Sequence, residues 1–312
     1  MSDQSRLPRI AVVIVTHNSA DVVGGCLASL PEGAKDVELT DVIVVDNAST
    51  DESLRIAKEA AGQPVEIVQL DRNAGYAAGL NAGVDVLAGG REPDAVLVIN
   101  PDCRLQPRAL AVMADALFRP GRGIVAPRLL NLDGTLHPTL RRAPTVVGAL
   151  AEALIGGRLA DRLGIGELVF DKTRHEREGP AAAWATGAAL LISWDALVQV
   201  GPWDESFMLY SEETEFIFRA ADYGWTMWYE PRAMVNHRGG ESATNPGLAA
   251  LLIVNKVRFY RSRHGRAASI AYWLAVLLGA SLRAVAGSRV AKASIAALLR
   301  PSHRITSLEQ LR

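Results

Sequence analysis

The first half of this chain repeats one pattern that restricts its fold: short runs of aliphatic, largely β-branched residues separated by stretches long enough for a helix. The runs are IAVVIVT from Ile10, DVIVVD from Asp41, VEIVQL from Val65 and VLVIN from Val96, with helices predicted from about Asp21, Asp51 and Tyr76. Runs this short and this continuously apolar suit strands buried on both faces. Their alternation with helices predicts an α/β fold, a mostly parallel sheet flanked by helices. Each run stops on polar residues: Thr16, His17 and Asn18; Asp46 and Asn47; Asp71, Arg72 and Asn73; Asn100, Pro101 and Asp102. In a doubly wound sheet these carboxyl ends share one edge, where ligands bind, so Asp46 and Asp102 are predicted to converge there. Pro101 cannot donate to a ladder, so pairing ends beside it and Asp102 stands at the tip.

Turns and helix caps compete for the same residues. In DNASTDES, Ser49 or Thr50 is predicted to cap the next helix, with Asp51 and Glu52 in its first turn, which leaves Asp46 over. The first strand is followed by THNSADVVGG, where Gly24 and Gly25 come too late for G-x-G-x-x-G, and G-x-x-x-x-G-K-[ST] is absent. Dinucleotide-binding and P-loop readings therefore fail. A nucleotidyltransferase would carry a Gly-rich, Arg- and Lys-bearing loop after strand one, which THNSAD is not. A diphosphate ligand would instead be met by a divalent ion on Asp102, since Mg²⁺ is typically bound by one or two carboxylates together with substrate phosphates.

Beyond Pro107 the sequence predicts a helix, the strand GIVAPRLL and a turn at the Asp-Gly of NLDGTLH. Residues 141–180 lose the rhythm and read as an irregular insertion bordering a site, within which PTVVGALAEALIGG is an apolar segment suited to a packed helix. Then come AAAWATGAALLIS, a helix carrying EETEFIFRAADYG with Phe216, Ala220 and Tyr223 on its core face, and the strand-like TMWYE leading to His237. Cys26 and Cys103 lack metal-ligand spacing and read as reduced structural thiols of a cytosolic protein. The net charge of -1 conceals an asymmetry: from Leu251 onward eleven Lys and Arg face one acid, Glu309. The uncharged AASIAYWLAVLLGASL in this tail falls short of the roughly 20 residues of a bilayer span, which leaves a helix at a membrane interface or one packed on the main domain. A basic tail of this composition selects an anionic membrane surface over nucleic acid.

Seven blocks, AVVIVTHNS, VIVVDNASTD, NAGYAAGLNAG, VLVINPD, ATGAALLIS, FMLYSEETEFIFR and VNHRGGES, in this order resemble the family 2 glycosyltransferases with the GT-A fold, and within them the bacterial rhamnosyltransferase-like members. The resemblance covers roughly residues 8 to 265. It implies a GT-A domain over 1–250, with a nucleotide-binding half at about 8–130 and an acceptor-binding half at about 131–250, followed by a basic amphipathic helical tail over 251–312.

The resemblance also implies roles. Thr16, Asn18 and Asp46 would line the nucleotide pocket, and Asn73, Gly75 and Gly79 would border the sugar-nucleotide. NPD stands where many relatives carry D-x-D. Asn100 replaces the first acid, so Asp102 would be the principal ligand of Mg²⁺ or Mn²⁺, with His237 completing the site. Where relatives read Glu-Asp this chain has Glu212 and Glu213. Glu213 would be the catalytic base, with Glu212 beside it on the acceptor side together with Trp184, Thr186 and Gly187. One base suits a single inverting displacement. No Q-x-x-R-W block follows, so one sugar per encounter is expected. The implied reaction moves a sugar, foremost L-rhamnose from dTDP-rhamnose, onto a polyprenyl-diphosphate-linked or other cell-envelope glycan at the inner face of the plasma membrane. The tail would touch the membrane peripherally, nucleic acid is no partner, and an oligomer is compatible. UDP-GlcNAc, UDP-galactose or GDP-mannose as donor, and a noncatalytic nucleotide-sugar binding protein, stay open.

Overall fold

The computed structural model describes residues 6–59, 64–180, 183–239, 244–305 and 307–308. Four strands form the parallel half of the sheet: β1 (Arg9–Thr16), β2 (Glu38–Asp46), β3 (Glu66–Gln69) and β4 (Ala95–Ile99). Helices α1 (Val23–Gly33), α2 (Ser53–Glu59) and α3 (Tyr76–Ala88) connect them. After the short β5 (Cys103–Leu105) come α4 (Ala109–Leu117), β6 (Arg122–Leu130), β7 (Leu140–Arg141), α5 (Val146–Ile155) and α6 (Gly157–Arg162). Then follow β8 (Trp184–Ala185), β9 (Ala189–Ser193), α7 (Trp194–Val200), α8 (Glu212–Asp222) and β10 (Thr226–His237). Helices α9 (Pro246–Arg263), α10 (Arg266–Val285) and α11 (Arg289–Leu299) close the described chain.

Eight strands share one sheet in the order β3-β2-β1-β4-β9-β6-β10-β5, and β7 pairs with β8 as a separate two-stranded ribbon. β9 runs antiparallel between β4 and β6, and β5 antiparallel on the edge beside β10, so the sheet is mixed where the sequence shows only its parallel half. Every residue of β1 and β4 is buried. Alternate residues of β1 face opposite cores: Ile10, Val12 and Ile14 pack with Leu27 and Leu110, while Ala11, Val13 and Val15 pack with Leu80 and Phe216. That two-sided burial is why these strands read as unbroken apolar runs.

Four expectations change here. Residues 141–180 contain α5 and α6, because Thr145 caps α5 through Gly148 N and the apolar face of α5 packs on α10. The cap of α2 is Asp51, whose carboxylate accepts from Ser53 N at 3.0 Å. Ser49 and Thr50 are engaged by Asn18 instead. Tyr223 lies beyond the end of α8 and is 52% exposed, whereas Phe216 and Ala220 are buried. The expected boundary at residue 250 falls within α9, whose Ile253, Val257 and Tyr260 pack with the tail helices.

The uncharged tail segment extends into a 20-residue helix, α10, long and apolar enough to cross a membrane by length and composition. In this fold one of its faces is packed: Tyr272 stacks on Tyr260 of α9 at 3.9 Å between ring centroids, and Gly279 lies so close to Ala153 of α5 that an added Cβ would stand 3.2 Å from the alanine's. The other face presents Ile270, Leu274, Leu278 and Leu282 to solvent at a spacing of four.

Candidate active site

At the carboxyl end of β2 every polar group is tied to the fold. Asp46 is buried and accepts from Ser49 N at 3.2 Å, with the Thr16 hydroxyl at 3.4 Å. Asn47 is buried beside it: its amide nitrogen donates to Gly75 O at 2.9 Å and its oxygen accepts from Ala74 N at 2.8 Å, joining strand two to the loop before α3. Asn18, at a left-handed φ of 49°, accepts from Thr50 N at 2.9 Å. Asn73 accepts from Gly75 N at 3.3 Å and shapes the turn into α3.

The two glycines expected beside the sugar-nucleotide have packing reasons of their own. Gly75 sits at φ 101°, and a Cβ there would meet the Met208 carbonyl oxygen at 2.5 Å. Gly79 faces β1, where a Cβ would lie 2.5 Å from Val15 Cγ1. The first lets two backbones touch and the second lets a helix lie close on a strand.

Asp102 follows the Asn100–Pro101 turn and approaches the end of β10. Its Oδ2 accepts from Gly239 N at 2.8 Å and lies 3.4 Å from His237 Nε2. Burial depresses the His237 pKa, opposed by the Asp102 charge, so the ring is neutral near pH 7. Its Nδ1 is buried without a hydrogen-bond partner. His137 meets the His237 ring edge-on at 5.1 Å, and burial followed by its histidine neighbour lowers its pKa to about 4. Cys103 completes a trio whose ligand atoms lie within 4.8 Å of one another. Burial raises its pKa well above the ordinary thiol value and its Sγ donates to Ala188 O, so it remains a thiol. A carboxylate and a neutral imidazole at an open strand end fit a divalent ion that keeps positions free for phosphate oxygens.

Helix α8 begins with Glu212 and Glu213 after a strained approach. Leu209 N donates to Phe207 O across Met208 at φ 59° and ψ -63°, a γ-turn of the rare kind. Tyr210 and Ser211 follow at φ 69° and 73°. Asn255 of α9 holds the segment, its side-chain nitrogen donating to Phe207 O at 2.6 Å and Leu209 O at 2.9 Å. Tyr76 N donates to Met208 O at 2.6 Å from the other side. Strain of this kind, on the order of 1–3 kcal/mol per residue, persists only where neighbours fix it, and functional sites are where it collects.

Glu212 and Glu213 each leave one buried oxygen without a partner. Burial, then the Glu213 charge, holds the Glu212 pKa well above the carboxylate range. Burial also raises Glu213, against the pull of helix N–H groups and the Arg141 charge. Gly187 makes room for it, since a Cβ there would lie 3.0 Å from Glu213 Cβ. The Tyr76 hydroxyl is buried among these acids: desolvation and the charges of Glu212, Glu213 and Asp102 all raise its pKa.

Trp184 and Thr186 lie on the β7–β8 ribbon next to Gly187, with Trp184 Nε1 and Thr186 Oγ1 buried and unpartnered. Sequence reasoning missed Tyr76, His137, Arg141 and Asn255. The first lay inside a recognised block with no chemistry assigned to it, and Asn255 lay in a stretch read only for its charge.

The sequence matches Glycosyl transferase family 2 over residues 11–143. It is 28% identical over 241 residues to the N-acetylglucosaminyl-diphospho-decaprenol L-rhamnosyltransferase of Mycobacterium tuberculosis, a match covering 75% of this chain and 77% of that protein. It is 25% identical over 217 residues to the low-salt glycan biosynthesis hexosyltransferase Agl10 of Haloferax volcanii, covering 70% and 63% respectively. Among solved structures, the fold is shared with a mannosyltransferase from Pyrobaculum calidifontis in complex with GDP-Man and Mn²⁺, at a TM-score of 0.57 and 17% identity over 94% of this chain and 79% of that one. It is shared also with S. aureus TarS 1–349 in complex with UDP-GlcNAc, at a TM-score of 0.53 and 15% identity over 93% and 79%.

Proposed function

This chain carries a family 2 glycosyltransferase domain, and we propose that it transfers one sugar from a nucleoside-diphosphate donor, foremost L-rhamnose from dTDP-rhamnose, to a polyprenyl-diphosphate-linked or other cell-envelope glycan, with inversion at the anomeric carbon. The observation that carries this reading is Glu213 at the start of α8, with its raised pKa and a buried oxygen left without a partner. The similarity to a rhamnosyltransferase over three quarters of the chain supports the sugar and the lipid-linked acceptor.

Glu213 takes the proton of the acceptor hydroxyl. Burial suits it, because a carboxylate with a raised pKa is a stronger base near neutral pH. Burial beside Glu213 favours the neutral form of Glu212, where a second carboxylate would repel the first. Asp102 and His237 are the residues that would hold Mg²⁺ or Mn²⁺, and such an ion neutralises charge on a departing nucleoside diphosphate. Thr16, Asn18, Asp46 and Asn73 form the wall against which the nucleotide lies. A single general base suffices for one displacement, which supports inversion over a two-step route.

The tail supports peripheral contact with the inner face of the plasma membrane. Its solvent-facing stripe of Ile270, Leu274, Leu278 and Leu282 lies within a stretch free of acidic residues from Leu251 to Leu308. Flotation with vesicles of neutral and of anionic lipid tests this part: binding is expected only to the anionic set and is lost in Leu274→Glu/Leu278→Glu.

The chemistry is tested by incubating purified protein with a panel of nucleotide sugars and Mg²⁺ or Mn²⁺, following thermal shift and nucleoside-diphosphate release. Stabilisation and slow turnover with dTDP-rhamnose, lost in Asp102→Ala, are expected. Turnover with another donor alone would reassign the sugar. Binding without turnover that persists in Glu213→Ala would favour a noncatalytic binding protein.

A further inference from the structure

Strands pair in the β7–β8 ribbon as Leu140 with Ala185 and Arg141 with Trp184, and Thr186 N donates to Thr139 O at 3.2 Å one step further. Side chains alternate across a strand, so Thr139, Arg141, Trp184 and Thr186 share one face, while Leu140 and Ala185 share the other and sit in the core. The Arg141 guanidinium lies 5.6 Å from the centre of the Trp184 ring, as that placement requires. The polar face is unsatisfied: Thr139 Oγ1, Trp184 Nε1 and Thr186 Oγ1 are buried without partners. Thr139 is only 2% exposed.

Arg141 is the unusual member. Its Nη1 donates to the carbonyls of Pro138 and Leu140, each at 3.1 Å. Among the described residues no carboxylate lies within 4 Å of it, although Arg142 next to it is paired with Asp161 at 2.8 Å. A half-buried guanidinium with no carboxylate in direct contact, although the charges of Glu167, Glu213 and Glu152 reach it, next to three buried groups that can donate a hydrogen bond, leaves an excess of donors. Burying such groups unpaired is costly, so a ligand rich in acceptor oxygens and negative charge is what the face lacks. The ribbon borders Glu213 through Gly187, and it leads directly into α5, whose Val147, Leu150 and Leu154 are exposed. Phosphate-binding groups next to the base and an apolar helix beyond them match a lipid diphosphate whose sugar is presented to Glu213.

We propose that Thr139, Arg141, Trp184 and Thr186 form a phosphate-binding subsite for the acceptor's lipid-linked diphosphate, a reading that rests on the lipid-linked acceptor of the proposed function. The guanidinium takes phosphate oxygens through its free Nε and Nη2, with the hydroxyls and the indole N–H completing the cradle.

Two probes separate acceptor from donor: geranyl diphosphate and dTDP, each titrated calorimetrically in the presence of Mg²⁺ into full-length wild type, Arg141→Gln, Arg141→Lys and Thr186→Val. Loss of a charge-assisted hydrogen bond predicts geranyl diphosphate binding at least about tenfold weaker in Arg141→Gln, with partial recovery in Arg141→Lys and a smaller loss in Thr186→Val. Affinity for dTDP is expected to change less than about twofold. If Arg141→Gln melts early, the lysine and valine variants carry the comparison. Unchanged geranyl diphosphate binding in all three variants overturns the subsite, and a loss confined to dTDP overturns its assignment to the acceptor. Failure of dTDP and every nucleotide sugar to bind wild type would instead sink the transferase reading, while the geranyl diphosphate titration still decides the ribbon.

Discussion

The two sides of the candidate site are built in opposite ways. At the ends of β1 and β2, Asp46, Asn47 and Asn18 are joined to one another's loops by hydrogen bonds, and each side chain has a partner inside the protein. Around α8 and the β7–β8 ribbon, Glu212, Glu213, Trp184, Thr186 and Thr139 each bury a polar atom without one. The first side has its shape fixed before any ligand arrives. The second leaves buried polar atoms that no protein group among the described residues meets, and a bound ligand can meet them. Substitutions on the first side should therefore cost stability, and those on the second should cost activity.

The largest expected effect is on turnover. Glu213→Gln should lower transfer by about 10²–10⁴-fold, the usual range for a general base, while the melting temperature stays the same or rises because a buried acid has been removed. Steady-state rates and thermal melts on one preparation check both halves.

Next comes stability. Asn47→Ala and Asn255→Leu each strand carbonyls or an N–H that the amide now satisfies, and chemical denaturation should show losses of about 2–3 kcal/mol. Asn255→Leu should also lower turnover, since it releases the turn before Glu213. A variant of Asn47 with unaltered stability would remove one arm of the contrast.

On the second side, acidity separates rate from stability. Because burial raises Glu213, activity should rise with pH through a midpoint above the ordinary glutamate value. Stability should move the other way. A carboxyl whose folded pKa is raised stabilises the fold fully below its unfolded pKa, and that contribution fades as pH rises through the folded one. Parallel pH profiles of rate and of melting temperature test this, and Glu212→Gln should flatten the second. The smallest effect is expected for Thr186→Val, which replaces an unpartnered buried hydroxyl by a methyl. Its unfolding free energy should stay within about 0.5 kcal/mol of wild type.

Much of this was legible in the sequence where burial is two-sided. Residues 10–16 and 96–99 announce β1 and β4 because both of their faces meet a core, and the polar residues that end them lie where strand ends must lie. β9 was legible as apolar but not as antiparallel, since direction depends on a connection that runs through β7, α5, α6 and β8. The pair Glu212–Glu213 was visible only through its likeness to known blocks; acids in a first turn are also what the helix dipole favours. What makes them unusual is burial, which depends on residues distant in the chain such as Gly187 beside Glu213. Arg141 and Asn255 were illegible for the same reason: one depends on a two-residue ribbon, the other on a helix whose charges conceal an amide facing inward.

The most direct test of the central claim compares Asp102→Asn with Glu213→Gln in the same two assays, donor binding by calorimetry and sugar transfer to a lipid-linked acceptor. The account predicts that Asp102→Asn weakens donor binding and transfer together, whereas Glu213→Gln binds donor as wild type does and fails to transfer. Transfer by Glu213→Gln at the wild-type rate would contradict it.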